Sequence, residues 1–204
     1  MTEFFVTAFV TLFLVIDPIG MLPFFIALTS QNTAPERRSI AVRAVLIAAL
    51  VLAIFALAGD AILKGIGISM PAFRIAGGML LFLTAVDMLF ERRTERREGQ
   101  TEAAERPDPS VFPLAIPLIA GPGAIAAMIL LAGQGDDRWT ALGITLGAAG
   151  AVLVLVFALF MISGPIKRVL GRIGVTVVTR VLGLLLAALA VQFVVDGLKG
   201  LGLV

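Results

Sequence analysis

The chain has 204 residues, 59% of them hydrophobic and only 15% charged, with a mean hydropathy of +1.05, a balance that leaves too little polar surface for a water-soluble domain. It contains no Cys, His or Tyr, which excludes disulfides, thiolate and imidazole metal sites, Ser-His and Cys-His nucleophilic dyads, and haem ligation by His or Cys. The sequence pI near 9.7 rests on a net charge of only +2, with the basic residues gathered in loops, so nucleic acid is not an expected partner.

A helical crossing of the bilayer takes about 20 apolar residues. Six apolar stretches of that order can be read: Phe4 to Leu28, Ile40 to Leu63, Met70 to Phe90, Val111 to Ala132, Ala141 to Ile162, and Thr176 to Leu198. The expected fold is an all-α transmembrane bundle of six spans. Met1-Thr2-Glu3 supplies no positive region and no small-residue cleavage site follows the first stretch, so this span is expected to persist in the mature protein.

Span one carries Leu14-Val15-Ile16-Asp17-Pro18-Ile19-Gly20 about halfway along. Proline removes a backbone donor and clashes with the preceding turn, so the helix must kink or unwind there. Asp as N-cap with Pro at the first helical position also starts a helix well. A half-helix ending near Ile16 and a second beginning at Pro18 are therefore predicted. Asp17 is the only acid near a span centre, where an ionised carboxylate costs on the order of 2.5 to 3.5 kcal/mol. It needs a partner: the helix start it caps, a substrate ammonium, or a coupling proton.

In span three, Arg74 lies about one turn from the start and Asp87 near the end. Arg74 and its counterpart Arg180 in span six are placed to reach the interface with their long side chains; the other reading makes Arg74, Asp87 and Arg180 candidate gating residues. The segment from Glu91 to Asp108 mixes arginines and acids with almost no apolar content and reads as a solvated linker. Span four repeats the break of span one in Ile119-Ala120-Gly121-Pro122-Gly123-Ala124, with Gly as N-cap, Pro at the first helical position, and a second Gly that admits another group to the backbone. In span five, Gly143 and Gly147 are spaced for close helix packing, as are Gly77, Gly78 and Gly183 in spans three and six.

The halves correspond. Asp17-Pro18 aligns with Gly121-Pro122, Ile66-Gly67-Ile68-Ser69 with Ile173-Gly174-Val175-Thr176, and Arg74-Ile75-Ala76-Gly77 with Arg180-Val181-Leu182-Gly183. Three spans per half make the repeats inverted, which suits a central site opened to either side in turn. The organisation is thus a first repeat over 1–90, a polar linker over 91–110 and a second, inverted repeat over 111–204, with spans one and four discontinuous. Interrupted helices at mid-membrane are tolerable only where they are buried in protein or line a cavity. Two half-helix N-termini would attract a carboxylate and the preceding C-terminal carbonyls an ammonium, so the pair suits a zwitterion.

Setting aside Arg74 and Arg180, the loops after spans one, three and five carry eleven Lys and Arg residues, and the opposite side three: Lys64, Arg138 and Lys199. This predicts cytoplasmic loops after the odd spans, both termini outside, and a plasma (inner) membrane location.

The strings Ile16-Asp17-Pro18-Ile19-Gly20-Met21-Leu22-Pro23-Phe24-Phe25 and Pro117-Leu118-Ile119-Ala120-Gly121-Pro122-Gly123-Ala124-Ile125 resemble the MarC family of six-span bacterial and archaeal membrane proteins. The resemblance extends over essentially the whole chain, including the polar loop before span four. That family includes SnatA-type transporters of small neutral amino acids such as glycine and alanine. The resemblance implies a substrate held between the broken first and fourth spans, on Ile16, Asp17, Pro18, Ile19 and Gly20 and on Ala120, Gly121, Pro122 and Gly123. A secondary carrier is expected, since no G-x-x-x-x-G-K-[ST] string provides for ATP. No cofactor or metal site is expected; the family context points to a coupling proton or sodium ion. The partners are a small neutral amino acid and the lipid bilayer, and no oligomeric state is assigned. The rival readings are a channel or exporter for another small solute and a non-transporting membrane assembly or stress factor. An enzyme is not expected, because a lone central acid supplies no acid and base pair.

Overall fold

Prolines and small polar residues set where the helices begin. The computed structural model describes residues 1–90, 108–134 and 137–203, in which the regular elements are helices: α1 (Thr2–Ile16), α2 (Leu22–Leu28), α3 (Ala34–Gly65), α4 (Met70–Leu89), α5 (Pro122–Ala132), α6 (Arg138–Met161) and α7 (Ser163–Gly200). The greater part of the polar linker lies outside the described residues. Thr33 opens α3 with a reciprocal cap, its N–H donating to Glu36 Oε2 at 2.7 Å. Ser69 caps α4 by accepting from the Ala72 N–H, and Asp137 caps α6 by accepting from Trp139 and Thr140. Gly67, at φ 77°, ends α3, with the Ile68 N–H reaching back to Leu63 O.

Four helical stretches are long and apolar enough to cross a membrane: α3, α4, α6 and the Ile173–Gly200 part of α7. A fifth is added if α5 and the segment Ser110–Ile119 before it, which meet at 55°, count as one. The distribution of side chains is that of a lipid-facing bundle. On α3 the buried stripe is small, with Ala41, Ala44 and Ala48 fully covered, while Leu46, Leu50 and Ile54 face outward. Small residues inside let helices approach closely, and an apolar surface of this extent is untenable in water.

The helices pack end for end. The N-termini of α1 and α6 lie side by side, Met1 and Phe4 lining a cleft with Thr140, Ala141 and Ile144. Helix α3 runs antiparallel to α6, Arg37 near its start bonding to Ser163 just past the end of α6, and Arg138 at the start of α6 bonding to Leu57 O. Helices α4 and α7 form a long antiparallel pair held close by glycines. A Cβ on Gly78 would lie 2.8 Å from Ala190 O, one on Gly183 would lie 3.2 Å from Ala85 O, and one on Gly197 would lie 2.9 Å from Pro71 O.

Two expectations need correction here. Gly143 and Gly147 do not mediate packing within the chain, since nothing lies within 4 Å of their Cβ positions. The buried face of α6 is instead Ala141, Leu142, Thr145, Ala148 and Ala149, which puts both glycines on the outward face. The stretch after span five is not a loop but helix from Ser163, interrupted at Gly171 (φ 59°, ψ −174°). Lys and Arg are good helix formers, and glycine alone accommodates that positive φ without strain.

Candidate functional site

The first break lies where α1 ends. Ile16 is the last helical residue, as expected, and Asp17 closes the helix in the left-handed conformation, φ 56° and ψ 64°. A following proline disfavours the α conformation at the preceding residue, and Asp tolerates the left-handed region better than most residues. The Asp17 N–H donates to Phe13 O at 2.9 Å and the Asp17 carbonyl accepts from Met21 N at 3.1 Å. Its Oδ1 accepts from the Gly20 N–H at 3.0 Å. This side chain to backbone bond closes a local turn that competes with helix. The predicted second half-helix therefore does not begin at Pro18 with Asp17 as its N-cap. Pro18, Ile19 and Gly20 form turns, and α2 begins at Leu22, with Pro23 in its first turn. Asp17 is fully buried, and it is the one ionisable side chain so placed among the described residues.

The second break matches expectation on one side only. Helix α5 starts at Pro122 with Gly121 as its N-cap in extended conformation, and the Gly121 carbonyl accepts from Ile125 N. A Cβ on Gly121 would lie 2.5 Å from Pro117 O, so the chain can fold back here only with glycine. The segment before it is no α-helix. Ser110–Ile119 is a wide coil with i to i+5 bonds, Leu114 N to Pro109 O and Ala120 N to Ala115 O, and with extended residues at Phe112 and Ile116. Pro113 and Pro117 each remove a donor and clash with the preceding turn, which prevents an α-helix across the segment.

The two breaks meet. A Cβ on Gly123, in the first turn of α5, would lie 3.2 Å from Val15 Cγ1 in the last turn of α1, and 3.5 Å from Leu81 and from Thr84 Oγ1 on α4. The end of α1, the start of α5 and the middle of α4 thus converge on one point, with Asp17 two residues along from Val15. Ile16, Gly20 and Ala120 are buried, and Pro18 and Ile19 continue the Asp17 turn. The N–H groups of the first turn of α5 lack helical acceptors and carry the positive end of the helix dipole. Chemically, the junction holds the amide donors of the first turn of α5 beside the Thr84 hydroxyl, and the acidic Asp17 follows two residues along the chain from Val15. Thr84, whose hydroxyl donates to Leu80 O at 3.0 Å, was not singled out from the sequence. The available signal is a lone hydroxyl in a span whose other polar side chains, Arg74 and Asp87, lie toward its ends.

The candidate gating residues fall into two groups. Asp87 and Arg180 are at the same end of the α4–α7 pair, where Gly183 packs on Ala85 and Met88. Arg74 is at the opposite end, where Gly197 packs on Pro71 and Ile75; its Nε is buried and makes no hydrogen bond among the described residues.

Comparison with known proteins fits this architecture. Residues 2–202 match the profile of the MarC family, described as "MarC family integral membrane protein". A "UPF0056 membrane protein" of Archaeoglobus fulgidus is 44% identical over 198 residues, spanning 96% of this chain and 92% of the relative. The "UPF0056 membrane protein YhcE" of Escherichia coli is 37% identical, covering 95% of this chain and 91% of its own. The "UPF0056 inner membrane protein YhgN" of the same organism is 36% identical, covering 95% of both. No solved structure matches. With nearly its whole length matched by the profile and by full-length relatives, the chain belongs to the MarC family of integral membrane proteins.

Proposed function

We propose that this protein is a secondary transporter of small neutral amino acids that works by alternating access, with the substrate held between the breaks of the first and fourth of six spans. The observation that carries the reading is the convergence of the α1 terminus, bearing buried Asp17, on the first turn of α5 at Gly123. A zwitterion suits these two poles. Its carboxylate would take the amides of Gly121, Gly123 and Ala124, Pro122 having none to offer, and its ammonium the carboxylate of Asp17 and the carbonyls at the end of α1. Val15, Leu81 and Thr84 pack closely on Gly123, so a site opened there would suit a substrate as small as glycine or alanine. Asp17 would also be the group to carry a coupling proton, or to assist a sodium ion.

The six-span count follows if α1 and α2 together make one broken span and the Ser110–Ile119 segment with α5 another. The inverted repeat draws support from the glycine contacts of α4 and α7. Gly78 sits on the carbonyl of Ala190, seven residues beyond Gly183, and Gly183 sits on the carbonyl of Ala85, seven residues beyond Gly78. A two-fold relation between the halves requires such reciprocity, and it pairs Gly183 with Gly78, one residue along from the alignment that matched Gly77. The charge bias supports termini outside and cytoplasmic loops after the odd spans, and the printed name of YhgN supports an inner membrane location. Asp87 with Arg180 is the better-placed gating pair, while Arg74 suits the interface.

Purified protein in proteoliposomes, preloaded with glycine, tests the reading: accelerated exchange of labelled glycine or alanine is expected. Flux without acceleration would identify a channel, and no flux would reject transport of these substrates.

A further inference from the structure

Each end of the antiparallel α3–α6 pair is tied by one arginine. At one end Arg37, in the first turn of α3, donates to Ser163 Oγ at 3.2 Å, and its guanidinium lies 5.7 Å from the centre of the Phe25 ring. Phe25 is stacked on Phe160, the ring centres 4.1 Å apart, and both are fully buried. At the other end Arg138, in the first turn of α6, donates to Leu57 O at 3.2 Å and lies 3.6 Å from Asp60 Oδ2, which Lys64 also contacts. The arrangement is the same at both ends: an arginine from the start of one helix reaches to the end of the other.

We propose that Arg37 and Arg138 are the two latches of alternating access, each closing one end of the α3–α6 pair and released in turn. The inference rests on the transporter reading and adds the residues that hold the central site shut. Through Phe25 the Arg37 latch grips α2, the helix that follows the Asp17 turn directly, so release at that end frees the element next to the site. The contacts suit repeated opening, because both arginines bond to uncharged oxygens and the Asp60 pair is partly exposed, where water replaces the partner at little cost. The ends are unequal. The Arg37 latch is backed by a buried aromatic pair and the Arg138 latch is not, so the resting protein opens more readily at the Arg138 end.

The chain has no cysteine, so Ala120→Cys places a single reporter thiol at the second break, where the side chain is buried. Vesicles of both orientations are treated with a membrane-impermeant maleimide. Arg37→Ala is expected to raise the labelling rate about fivefold or more from the face that bears Arg37, and Arg138→Ala from the opposite face, the low end of coupling between linked conformations. Increases from the same face, or none from either, overturn the proposal. Should an alanine variant fail to reach the membrane, Ser163→Ala and Arg138→Gln remove the same bonds with smaller changes and carry the same expectation. Labelling requires no substrate. Opposite-face responses with no glycine exchange by the cysteine-free parent would therefore remove the substrate reading alone, and unchanged labelling beside intact exchange by that parent would remove the latches alone.

Discussion

The carboxylate of Asp17 occupies the space that a side chain on Gly20 would need: a Cβ built at Gly20 would lie 2.6 Å from Asp17 Cγ. The same glycine donates its N–H to Asp17 Oδ1, so one residue both orients the acid and makes room for it. Gly20→Ala must push the carboxylate out of the turn. The expected cost is about 1–3 kcal/mol of stability, as for overpacking elsewhere, together with loss of transport. Asp17→Asn keeps an oxygen for the Gly20 amide. It is expected to fold with a melting temperature near that of the parent while losing or uncoupling glycine exchange. Thermal denaturation in detergent and exchange in proteoliposomes separate the two; a fully active, coupled Asp17→Asn protein would remove the acid from the mechanism.

The glycines of the α4–α7 contact are not equivalent to those on the outward face of α6. A methyl on Gly78 would meet backbone on two sides, Ala190 O at 2.8 Å and Val194 N at 3.1 Å, whereas one on Gly183 meets Met88 Cβ at 2.9 Å and backbone only at Ala85 O, 3.2 Å away. Gly78→Ala is therefore expected to destabilise more than Gly183→Ala, by about 1–3 kcal/mol. Gly143→Ala and Gly147→Ala meet nothing within 4 Å and should stabilise α6 by up to about 1 kcal/mol through helix propensity. Melting temperatures of the four variants give the order directly.

How much of this was legible varies by element. The end of α1 at Ile16 and the start of α5 at Pro122 follow from proline and glycine, whose effects are local. The start of α2 at Leu22 is not legible, because a carboxylate can satisfy a nearby amide instead of capping a helix, and which bond wins depends on the turn that Gly20 permits. Pro113 and Pro117 announce the Ser110–Ile119 coil, yet apolarity over a span-length stretch, which alone does not separate coil from helix, reads as helix there. The meeting of Gly123 with Val15 and Thr84, and the pairing of Arg37 and Arg138 with distant partners, are tertiary facts. Those arginines counted only toward the charge bias, because nothing in their neighbourhood names Ser163 or Leu57.

The caps outside the membrane give a pH dependence of definite sign. The Thr33 N–H and hydroxyl hold the Glu36 carboxyl below its usual range, and the Thr140 hydroxyl and the Trp139 N–H do the same for Asp137. A carboxylate with a lowered pKa in the folded state stabilises above its unfolded pKa and loses that contribution as pH falls through the folded value. Both caps are thus fully present at neutral pH and weaken in acid below the ordinary carboxylate range. Glu36→Gln and Asp137→Asn should lower the melting temperature at pH 7, and the gap from the parent should narrow in acid. A gap that widened toward low pH would contradict the assignment.

Gly123 is where substrate size should be set. A methyl there would make ordinary contact with Leu81 and Thr84 at 3.5 Å and press on Val15 Cγ1 at 3.2 Å, which a small rotation of the valine relieves, so Gly123→Ala is expected to fold. In the proposed site that methyl fills the space beside the amides that would take the substrate carboxylate, so the side chain of alanine loses room while glycine, having none, loses least. One methyl group in a fitted pocket discriminates by about 10- to 200-fold. The ratio of kcat/KM for alanine over glycine should accordingly fall about tenfold or more in Gly123→Ala. Val15→Ala, which removes the facing methyls, should restore part of it in the double variant. An unchanged ratio in Gly123→Ala, with the protein folded and transporting, would place the substrate elsewhere than at the junction of α1, α4 and α5.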